Sequence, residues 1–502
     1  MSLRNRQGSV SIPVDVVGGT NFGRYPKISS EKTLNMIVSD GFLVPYAGYK
    51  KVIQISDNEN GRGIYASTPL KKMIAVIGNS VYLVSQSLYA SLIGTLDTYS
   101  GDVYIEENNV GQIAICDREK IYIYDHAAST FTKLSLDFKP GYLTFQNGRF
   151  LAASLDTNQW RLSEVGNGAS WPNNSQYVGA LTTKPDHVIA VERFPGRGNL
   201  LYVFGSIVTE SWQDVGSTLF PYQRNSSINM DYGCISASTV SANQNMIVWL
   251  SANERSGAAI MVSTGGDPVR ISTDGLDFQF SDLTNPENAY GFLFRQDGHL
   301  LYQFTFPDDN ISYVYDFNEK MFFSLTDHTM GAHIAKQVAY FNGTYYFVSF
   351  KDGNIYELSS KYTNNDGNEI PRIRVCKTFR LPDTSRFVVS DLTFLLEQGV
   401  HQEFSTQTIF KSLGGATFRS LGGQTFITQG SDVITSAVDL AISKNGTESF
   451  GNFKRHEVNP IGKYKNSINY RRLGSANEIT FQLRFYGLGR FVAGNGLMRV
   501  SQ

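Results

Sequence analysis

The sequence predicts an all-β protein: a six- or seven-bladed β-propeller followed by a C-terminal β-sandwich-like domain with an inserted β arm. Three observations lead to this prediction. The chain is rich in Gly (46), Tyr (27) and Phe (33) but only 18% charged, which is typical of turn-rich β proteins. Short alternating apolar runs separated by Asn-Gly and Asp-Gly turns recur between residues 60 and 370. Beyond residue 371 the apolar runs become longer.

These patterns divide the 502 residues into three parts, in keeping with a length that exceeds one ordinary domain. Residues 1–59 are an N-terminal segment that we expect to contribute to the first blade. Residues 60–370 form the predicted propeller. Residues 371–502 form the predicted C-terminal β domain, with the arm inserted at 404–432.

The propeller prediction rests on a strand pattern that occurs seven times. The later strands of the units read VYLVS, IYIYD, WRLSE, TESWQD, AIMVS, YVYDF and IYELS, and are centred near Tyr82, Tyr124, Trp160, Trp212, Ile260, Tyr315 and Tyr356. Their spacing of roughly 35 to 55 residues brackets the period of a propeller blade. A single sandwich rarely needs about 300 residues, and no segment has the pattern of a long amphipathic helix. A propeller of six or seven blades therefore fits best.

The predicted arm contains the segment FKSLGGATFRSLGGQTF, which nearly repeats after eight residues. The repeated residues are Phe410, Phe418 and Phe426, and Gly414, Gly415, Gly422 and Gly423. The Gly-Gly pairs are not phosphate-binding loops, because Ala416 and Gln424 stand where such a loop needs lysine. An even period places the three phenylalanines on one face of an extended chain, and each Gly-Gly pair supplies a turn. We therefore predict a protruding β arm.

Charge and cysteine content exclude several classes of protein. The net charge is -1 at pH 7 and no dense Lys/Arg tract occurs, so the sequence lacks the signature of a protein that grips phosphate backbones. It has no segment of signal-peptide character and no apolar run of about 18 residues, so we expect synthesis in the cytoplasm and no membrane anchor. Cys116, Cys234 and Cys376 follow no CxxC spacing, and we interpret them as buried apolar residues.

The sequence shows no convincing catalytic or metal-binding motif. Propeller glycosidases need paired carboxylates, and none stands out. Ser206 lies in VFGSIVTES, a strand and turn rather than the GxSxG elbow of a serine hydrolase. His328 and His333 are the one close pair among seven histidines, and a glycine between them argues for a loop with ordinary surface histidines. We therefore expect no enzymatic activity, no cofactor and no metal.

A basic cluster spans residues 454–472. Its cations are Lys454, Arg455, Lys463, Lys465, Arg471 and Arg472. Tyr464 and Tyr470 interleave with these charges, as in proteins that bind single strands. Alternatively, the cations protect a solvated strand edge from aggregation, or they form an assembly surface. A DNA-binding module of this kind would lose affinity steeply with added salt.

Three segments resemble the tail-nozzle proteins of short-tailed bacteriophages, also called packaged-DNA-stabilisation proteins. The first contains Leu34-Asn35-Met36, a Pro-x-x-Gly at 45–48 and Arg62-Gly63. The second is the most specific: it carries Phe204, Gly205, Glu210 and Trp212, then Phe220-Pro221-Tyr222-Gln223-Arg224 and Gly233-Cys234. The third contains Tyr464, Arg471, Arg472, Leu473 and Gly474. The segments occur in the family's order from about residue 34 to the C-terminus.

The resemblance implies a structural virion protein without catalytic activity. It implies a ring of six copies below the portal and adaptor proteins, with residues 1–59 contributing to ring contacts. Such a ring closes the DNA channel, retains packaged DNA through transient contact, and carries tail fibres or tailspikes. Within it, Phe204, Gly205, Glu210, Trp212, Tyr222 and Arg224 are expected to form one structural corner, and the arm is expected to narrow the lumen or dock a partner.

A carbohydrate-binding or polysaccharide-degrading propeller is the alternative function. The aromatic content, 13% of the residues, permits it because sugars stack on Trp and Tyr faces. Turnover of a host polysaccharide by the isolated chain would favour this alternative over the structural one.

Overall fold

The structure is a computed structural model with two compact units. It describes residues 9–23, 30–252, 257–398, 404–409, 427–432, 436–458 and 465–501. The propeller unit comprises residues 22–23 and Tyr49–Tyr362. The sandwich unit comprises the remaining described residues, from both ends of the chain.

Among the described residues, five strands precede the first blade. They are β1 (Val10–Val14), β2 (Lys32–Leu34), β3 (Met36–Ser39), β4 (Phe42–Pro45) and β5 (Gly48–Ser56). The first four belong to the sandwich unit, whereas nearly all of β5 belongs to the propeller unit.

The strands in the described part of the propeller unit form seven groups of four, the blades. Blades one to three contain β6 (Gly61–Ser67), β7 (Lys72–Ile77), β8 (Ser80–Val84), β9 (Ala90–Thr95), β10 (Tyr104–Glu107), β11 (Gln112–Cys116), β12 (Ile121–Asp125), β13 (Thr130–Lys133), β14 (Pro140–Gln146), β15 (Arg149–Ser154), β16 (Gln159–Leu162) and β17 (Val178–Ala180). Blades four and five contain β18 (Val188–Arg193), β19 (Leu200–Gly205), β20 (Thr209–Asp214), β21 (Tyr222–Met230), β22 (Ser241–Ala242), β23 (Ile247–Ser251), β24 (Ala259–Ser263) and β25 (Val269–Arg270).

The last two blades follow a short helical connection. That connection holds α1 (Asp274–Phe280) and a 3-10 turn at Pro286–Asn288, and an earlier 3-10 turn lies at Ala237–Thr239. Blades six and seven contain β26 (Tyr290–Gln296), β27 (His299–Phe306), β28 (Ile311–Asp316), β29 (Met321–Leu325), β30 (Ala335–Phe341), β31 (Thr344–Ser349) and β32 (Gly353–Ser359), with β5 as the fourth strand of blade seven.

Turn chemistry explains why the blades form hairpins. The two-residue turns Asn147-Gly148, Asp297-Gly298 and Asn342-Gly343 join the first two strands of blades three, six and seven. Both residues of each turn have positive φ, for example 49° at Asn147 and 82° at Gly148. Such turns match the twist of paired strands, and Asn or Asp followed by Gly adopts them at low cost.

The N-terminal strand β5 closes the ring of blades. It is the outer strand of blade seven, where Asn354 Oδ1 accepts a hydrogen bond of 3.1 Å from Ile55 N. Blade seven in turn meets blade one, where Gln337 Oε1 accepts a bond of 2.9 Å from Ile64 N. From the sequence we expected the N-terminal segment to contribute to the first blade. That placement is wrong for β5, because its pairing partner lies about 300 residues away and leaves no local signal.

The predicted fold class is confirmed, and the described residues contain seven blades. All seven strands recognised in the sequence, from VYLVS to IYELS, are the third strands of their blades. The third strand carries the clearest apolar pattern because it lies between two paired neighbours and packs on both faces.

The described residues of the sandwich unit form two large sheets. Its C-terminal strands are β33 (Asn364–Asn365), β34 (Asn368–Glu369), β35 (Arg372–Val375), β36 (Phe379–Arg380), β37 (Phe387–Gln398), β38 (Phe404–Ile409), β39 (Ile427–Asp432), β40 (Ala437–Ser443), β41 (Lys454–Glu457), β42 (Lys465–Ala476), β43 (Glu478–Tyr486) and β44 (Phe491–Ser501). One sheet has the order β3-β4-β44-β37-β42, with β1 also on β44. The other has β2-β35-β43-β40-β41, with β36 also on β43.

Contacts between the two sheets form the core of this unit. The rings of Phe485 and Phe491 stack at 4.8 Å, and Tyr470 donates a hydrogen bond of 2.6 Å to Val438 O. Strands from the start of the chain complete both sheets: β1 pairs with β44, and β2 pairs with β35. The sandwich therefore includes strands before residue 48 as well as the C-terminal region that the sequence indicated.

Part of the predicted arm lies in the described structure. Strands β38 and β39 form an antiparallel ribbon of six residue pairs, from Phe404 with Asp432 to Ile409 with Ile427. The octet repeat, with Phe410, Gly414, Gly415, Phe418, Gly422, Gly423 and Phe426, lies outside the described residues.

Candidate functional site

The most specific sequence motif forms a buried hydrogen-bonded corner in blade four. Glu210, on β20, is 2% exposed. Its Oε1 atom accepts hydrogen bonds from Thr182 N (2.8 Å), Thr183 N (2.7 Å) and Thr183 Oγ1 (2.6 Å). Its Oε2 atom accepts from the indole N–H of Trp212 at 2.9 Å. One carboxylate thus satisfies four donors, and it joins β20 to the loop that enters the blade.

Arg224 completes the corner at its solvent side. Its Nη1 atom lies 3.5 Å from Glu210 Oε1 and donates a hydrogen bond of 2.8 Å to Thr183 Oγ1. The guanidinium therefore binds the same threonine that Glu210 binds. A partly exposed guanidinium beside a buried carboxylate makes a charge-assisted contact that helps to orient the carboxylate.

Aromatic side chains of this motif connect blade four to blade three. Trp160, fully buried on β16, lies 5.5 Å from Trp212, 5.5 Å from Phe220 and 5.3 Å from Tyr222, with edge-to-face ring geometry. Tyr222 also donates a hydrogen bond of 3.0 Å to Gln146 Oε1 on β14. Such aromatic pairs contribute beyond the area they bury. The corner is therefore a contact between two blades.

Phe204 and Gly205 lie at the other side of the same blade. Phe204 packs on Trp249 of blade five, with ring centroids 5.2 Å apart. At Gly233, a Cβ atom would clash with the backbone that follows Gly205, so only glycine fits at this position. Cys234 N then donates a bond of 2.8 Å to Gly205 O. The motif residues therefore fall into two contacts, one on each neighbouring blade.

A cluster of acidic side chains lies on the innermost strands. Glu192 on β18 accepts hydrogen bonds from Tyr142 Oη (2.7 Å) and Thr144 Oγ1 (3.5 Å). Burial raises its pKa to about 7. Burial also raises the pKa of Glu106 on β10 to about 8, and the nearby charges of Glu192 and Glu107 add to this rise. We did not recognise this cluster in the sequence, although a charged residue inside an otherwise apolar inner strand is a usable signal.

These two glutamates predict a pH-dependent stability. Their folded-state pKa values lie above the ordinary value near 4.5, so their contribution is fully present below about pH 4.5 and is lost as the pH rises through 7 to 8. We expect the melting temperature of the wild type to fall between pH 5 and 9. Glu106→Gln and Glu192→Gln should flatten this fall and melt about 2–4 °C above the wild type at pH 9.

Thermal melting across that pH range tests the prediction. Glu287→Gln, at an exposed position in the 3-10 turn, is the matched control and should leave the slope unchanged. A slope in the two inner-strand variants equal to that of the wild type contradicts the assignment.

A cavity of about 120 Å³ lies among the inner strands, with lining residues from six of the seven blades. At its wall, Lys336 forms an ion pair of 3.1 Å with Asp102. Arg62 lines the same cavity, and its guanidinium donates to the carbonyl oxygens of Gly78, Thr98 and Gly101. Lys336 and Asp102 pair with each other, and Arg62 binds backbone oxygen atoms. These contacts hold the inner strands together.

The described cations of the basic cluster line two strand edges of the sandwich. They are Lys454 and Arg455 on β41, and Lys465, Arg471 and Arg472 on β42, whereas Lys463 lies outside the described residues. All five side chains are exposed. Arg455 forms a two-pronged ion pair with Asp439, with distances of 2.9 and 3.0 Å. Because β41 and β42 end their sheets, this placement fits the strand-edge interpretation best.

One histidine differs from its expected surface position, whereas the cysteines match theirs. His333 is buried: burial lowers its pKa to about 4, and Gln303 Nε2 lies 3.1 Å from its Nδ1. All three cysteines are buried free thiols, as the sequence indicated. In the described part of the chain, no group of three or more His, Cys, Asp and Glu side chains could hold a metal ion. None of the described helices has the length and hydrophobicity that a membrane crossing requires.

Comparison with known proteins identifies the family. The family model described as "Bacteriophage P22 Gp10, beta-propeller" matches residues 24–363, which is more than half of the chain and includes all seven blades. The chain belongs to this family. It is therefore a structural protein of the phage virion, of the kind that stabilises packaged DNA, and the family is not an enzymatic one. The resemblance found in the sequence is confirmed.

Other comparisons concern the fold. No curated protein matches the sequence. Among solved structures, the N-terminal domain of Nup159 is 12% identical with a TM-score of 0.41, covering 64% of this chain and 96% of that one. A catalytically inactive virginiamycin B lyase from Staphylococcus aureus with quinupristin is 13% identical with a TM-score of 0.44, covering 62% and 99%. The computationally designed Ika8 protein is 10% identical with a TM-score of 0.40, covering 62% and 99%.

Proposed function

We propose that this member of the family is the tail nozzle, or tail hub, of a short-tailed phage. Six copies form a ring below the portal and adaptor proteins, close the DNA channel, retain packaged DNA and provide the attachment for tail fibres or tailspikes. The observation that supports this most strongly is the family match over the whole propeller unit. The protein is made in the host cytoplasm and acts in the virion, where it contacts viral DNA transiently.

The construction of the propeller unit suits the wall of a channel. Blade seven is completed by β5, so the ring of blades cannot open without breaking pairs between residues about 300 positions apart. Blade four is held on one side by Trp160 and on the other by Trp249. A propeller leaves only short, protected edges, and a head-to-tail ring of such units closes on itself.

The charge distribution suits a conduit rather than a tight DNA binder. The net charge is -1, and among the described cations of the basic cluster Arg455 is already paired with Asp439. Each Lys or Arg side chain of a protein that contacts a DNA phosphate adds to the affinity for DNA, and this affinity falls with salt. A protein surface with few such cations therefore lets DNA leave quickly.

The first test is the mass of the purified protein in solution, alone and with portal–adaptor assemblies, followed by imaging of the particles. Six copies around an axial pore are the expected result. A monomer in both samples contradicts the proposal, and binding on glycan arrays would then support the carbohydrate alternative.

The second test removes the gene from the phage that encodes the protein. Capsids should fill with DNA and then lose it, which a nuclease-protection assay of purified particles measures. Particles that retain their DNA as the wild type does would overturn the proposed role in retention.

A further inference from the structure

The ribbon of β38 and β39 differs from the rest of the sandwich unit in its pairing. Among the described residues, its two strands pair with each other and with no third strand. Each strand therefore presents one outer row of backbone N–H and C=O groups. A two-stranded ribbon is only marginally stable in water, and further strands or a packed face are needed to hold it.

The sequence of the ribbon leaves these edges unprotected. FSTQTI and ITQGSD contain a single charged residue, Asp432, and are rich in the Thr, Ile and Phe that favour strands. The edge strand β42 of the same unit shows the opposite design. It carries Lys465, Arg471 and Arg472, and its register shifts beside Arg472, which has a φ of 58°. Charges and a bulge are the usual means of preventing edge-to-edge pairing.

We propose that the ribbon is completed by the same ribbon of neighbouring copies, with the β39 edge of one copy pairing with the β38 edge of the next. This inference rests on the proposed ring. It identifies the surface that joins neighbouring copies: the backbone hydrogen bonds between β39 of one copy and β38 of the next.

Two properties of the ribbon favour a second copy over a foreign strand. Both edges are unprotected, and a ring uses both, one for each neighbour, whereas a single foreign strand needs only one. The strands are also antiparallel. Rotation about an axis along the strands keeps each strand's direction, so β39 of one copy meets β38 of the next in an antiparallel arrangement, and the pattern continues around a closed ring.

Charge variants of the described strands test the pairing. Thr406→Lys with Thr428→Lys makes one face of the ribbon positive, and Thr406→Glu with Thr428→Glu makes it negative, because the register puts both positions on the same face. Like charges on adjacent strands destabilise pairing, so each variant alone should weaken ring formation at least about tenfold. An equal mixture should restore the rings, because six positions accommodate an alternating arrangement. Sedimentation and native mass measurements report the species.

The matched control places the same charges elsewhere. Ser87→Lys with Thr218→Lys, at exposed positions of the propeller unit, should leave ring formation unchanged. Equal melting temperatures for all variants exclude misfolding as the cause of a lost ring. If both charged variants form rings as the wild type does, or if the mixture fails to restore them, the inference is wrong although the nozzle proposal stands. If the wild type forms no ring, with or without portal–adaptor assemblies, the nozzle proposal itself fails.

Discussion

Replacing Arg374 by alanine should lower the free energy of unfolding of the sandwich unit by about 3–5 kcal/mol, the range found when one partner of a buried ion pair is removed. Arg374 lies on β35 and is 0% exposed. Its guanidinium donates to Val16 O (2.8 Å), Gly19 O (2.9 Å), Thr33 Oγ1 (3.0 Å) and Asp15 O (3.0 Å), and to a carboxylate oxygen of Glu31.

The size of this effect follows from the number of groups that lose a partner. The five bonds use all five N–H donors of an arginine. Alanine would leave three backbone carbonyls, a hydroxyl and a carboxylate without their donor, and burial of such unpaired groups is costly. Lysine would keep the charge but cannot reproduce the planar fork, so Arg374→Lys should also be strongly destabilising.

Denaturant unfolding measures the loss, and hydrogen exchange locates it. Faster exchange should appear first at residues 9–21 and 30–34, because the side chain of Arg374 binds this part of the chain. Arg380→Ala is the matched control: Arg380 pairs with Glu478 at 2.6 Å near the surface, and its loss should cost at most about 1 kcal/mol. If Arg374→Ala and Arg380→Ala lost the same free energy of unfolding, the role assigned to the buried Arg374 would be wrong.

Arg374 also shows where the sequence stops being informative. Charged and apolar residues alternate in the segment Arg372-Ile373-Arg374-Val375, a pattern typical of a strand whose charged side chains face solvent. In the structure both arginine side chains are buried, at 2% and 0% exposure. The burial of Arg374 depends on acceptors supplied by residues more than 340 positions earlier, and no local pattern encodes such partners.

By contrast, structural features that depend only on residues close together in the chain could be predicted from the sequence. The Asn-Gly and Asp-Gly turns and the third strands of all seven blades follow from local patterns. The pairing of β5 with blade seven does not, because the partners are far apart in the chain. The same division applies to the blade-four corner: Glu210, Trp212 and Arg224 share one segment, whereas their partners Thr182 and Thr183 carried no recognisable signal.

Replacing Glu210 should have the second large effect, on the propeller unit. Glu210→Ala leaves the N–H groups of Thr182 and Thr183 and the indole N–H of Trp212 without their acceptor, and we expect a loss of about 3–4 kcal/mol. Glu210→Gln should cost less. Its one amide oxygen can accept from the threonines, but its NH₂ group must then face the indole N–H, where two donors oppose each other.

A double-mutant cycle measures the unfavourable interaction between the glutamine NH₂ group and the indole N–H of Trp212. Trp212→Phe removes the indole N–H and keeps a ring to pack on Trp160, whose ring lies 5.5 Å from that of Trp212. If the NH₂ group of the introduced glutamine opposes the indole, the double variant should be more stable than the sum of the single losses predicts, by about 1 kcal/mol. Urea unfolding of the four proteins gives this coupling energy. Additive losses would mean that Glu210 acts through the threonines and Arg224 alone, and that the tryptophan serves only as packing between blades three and four.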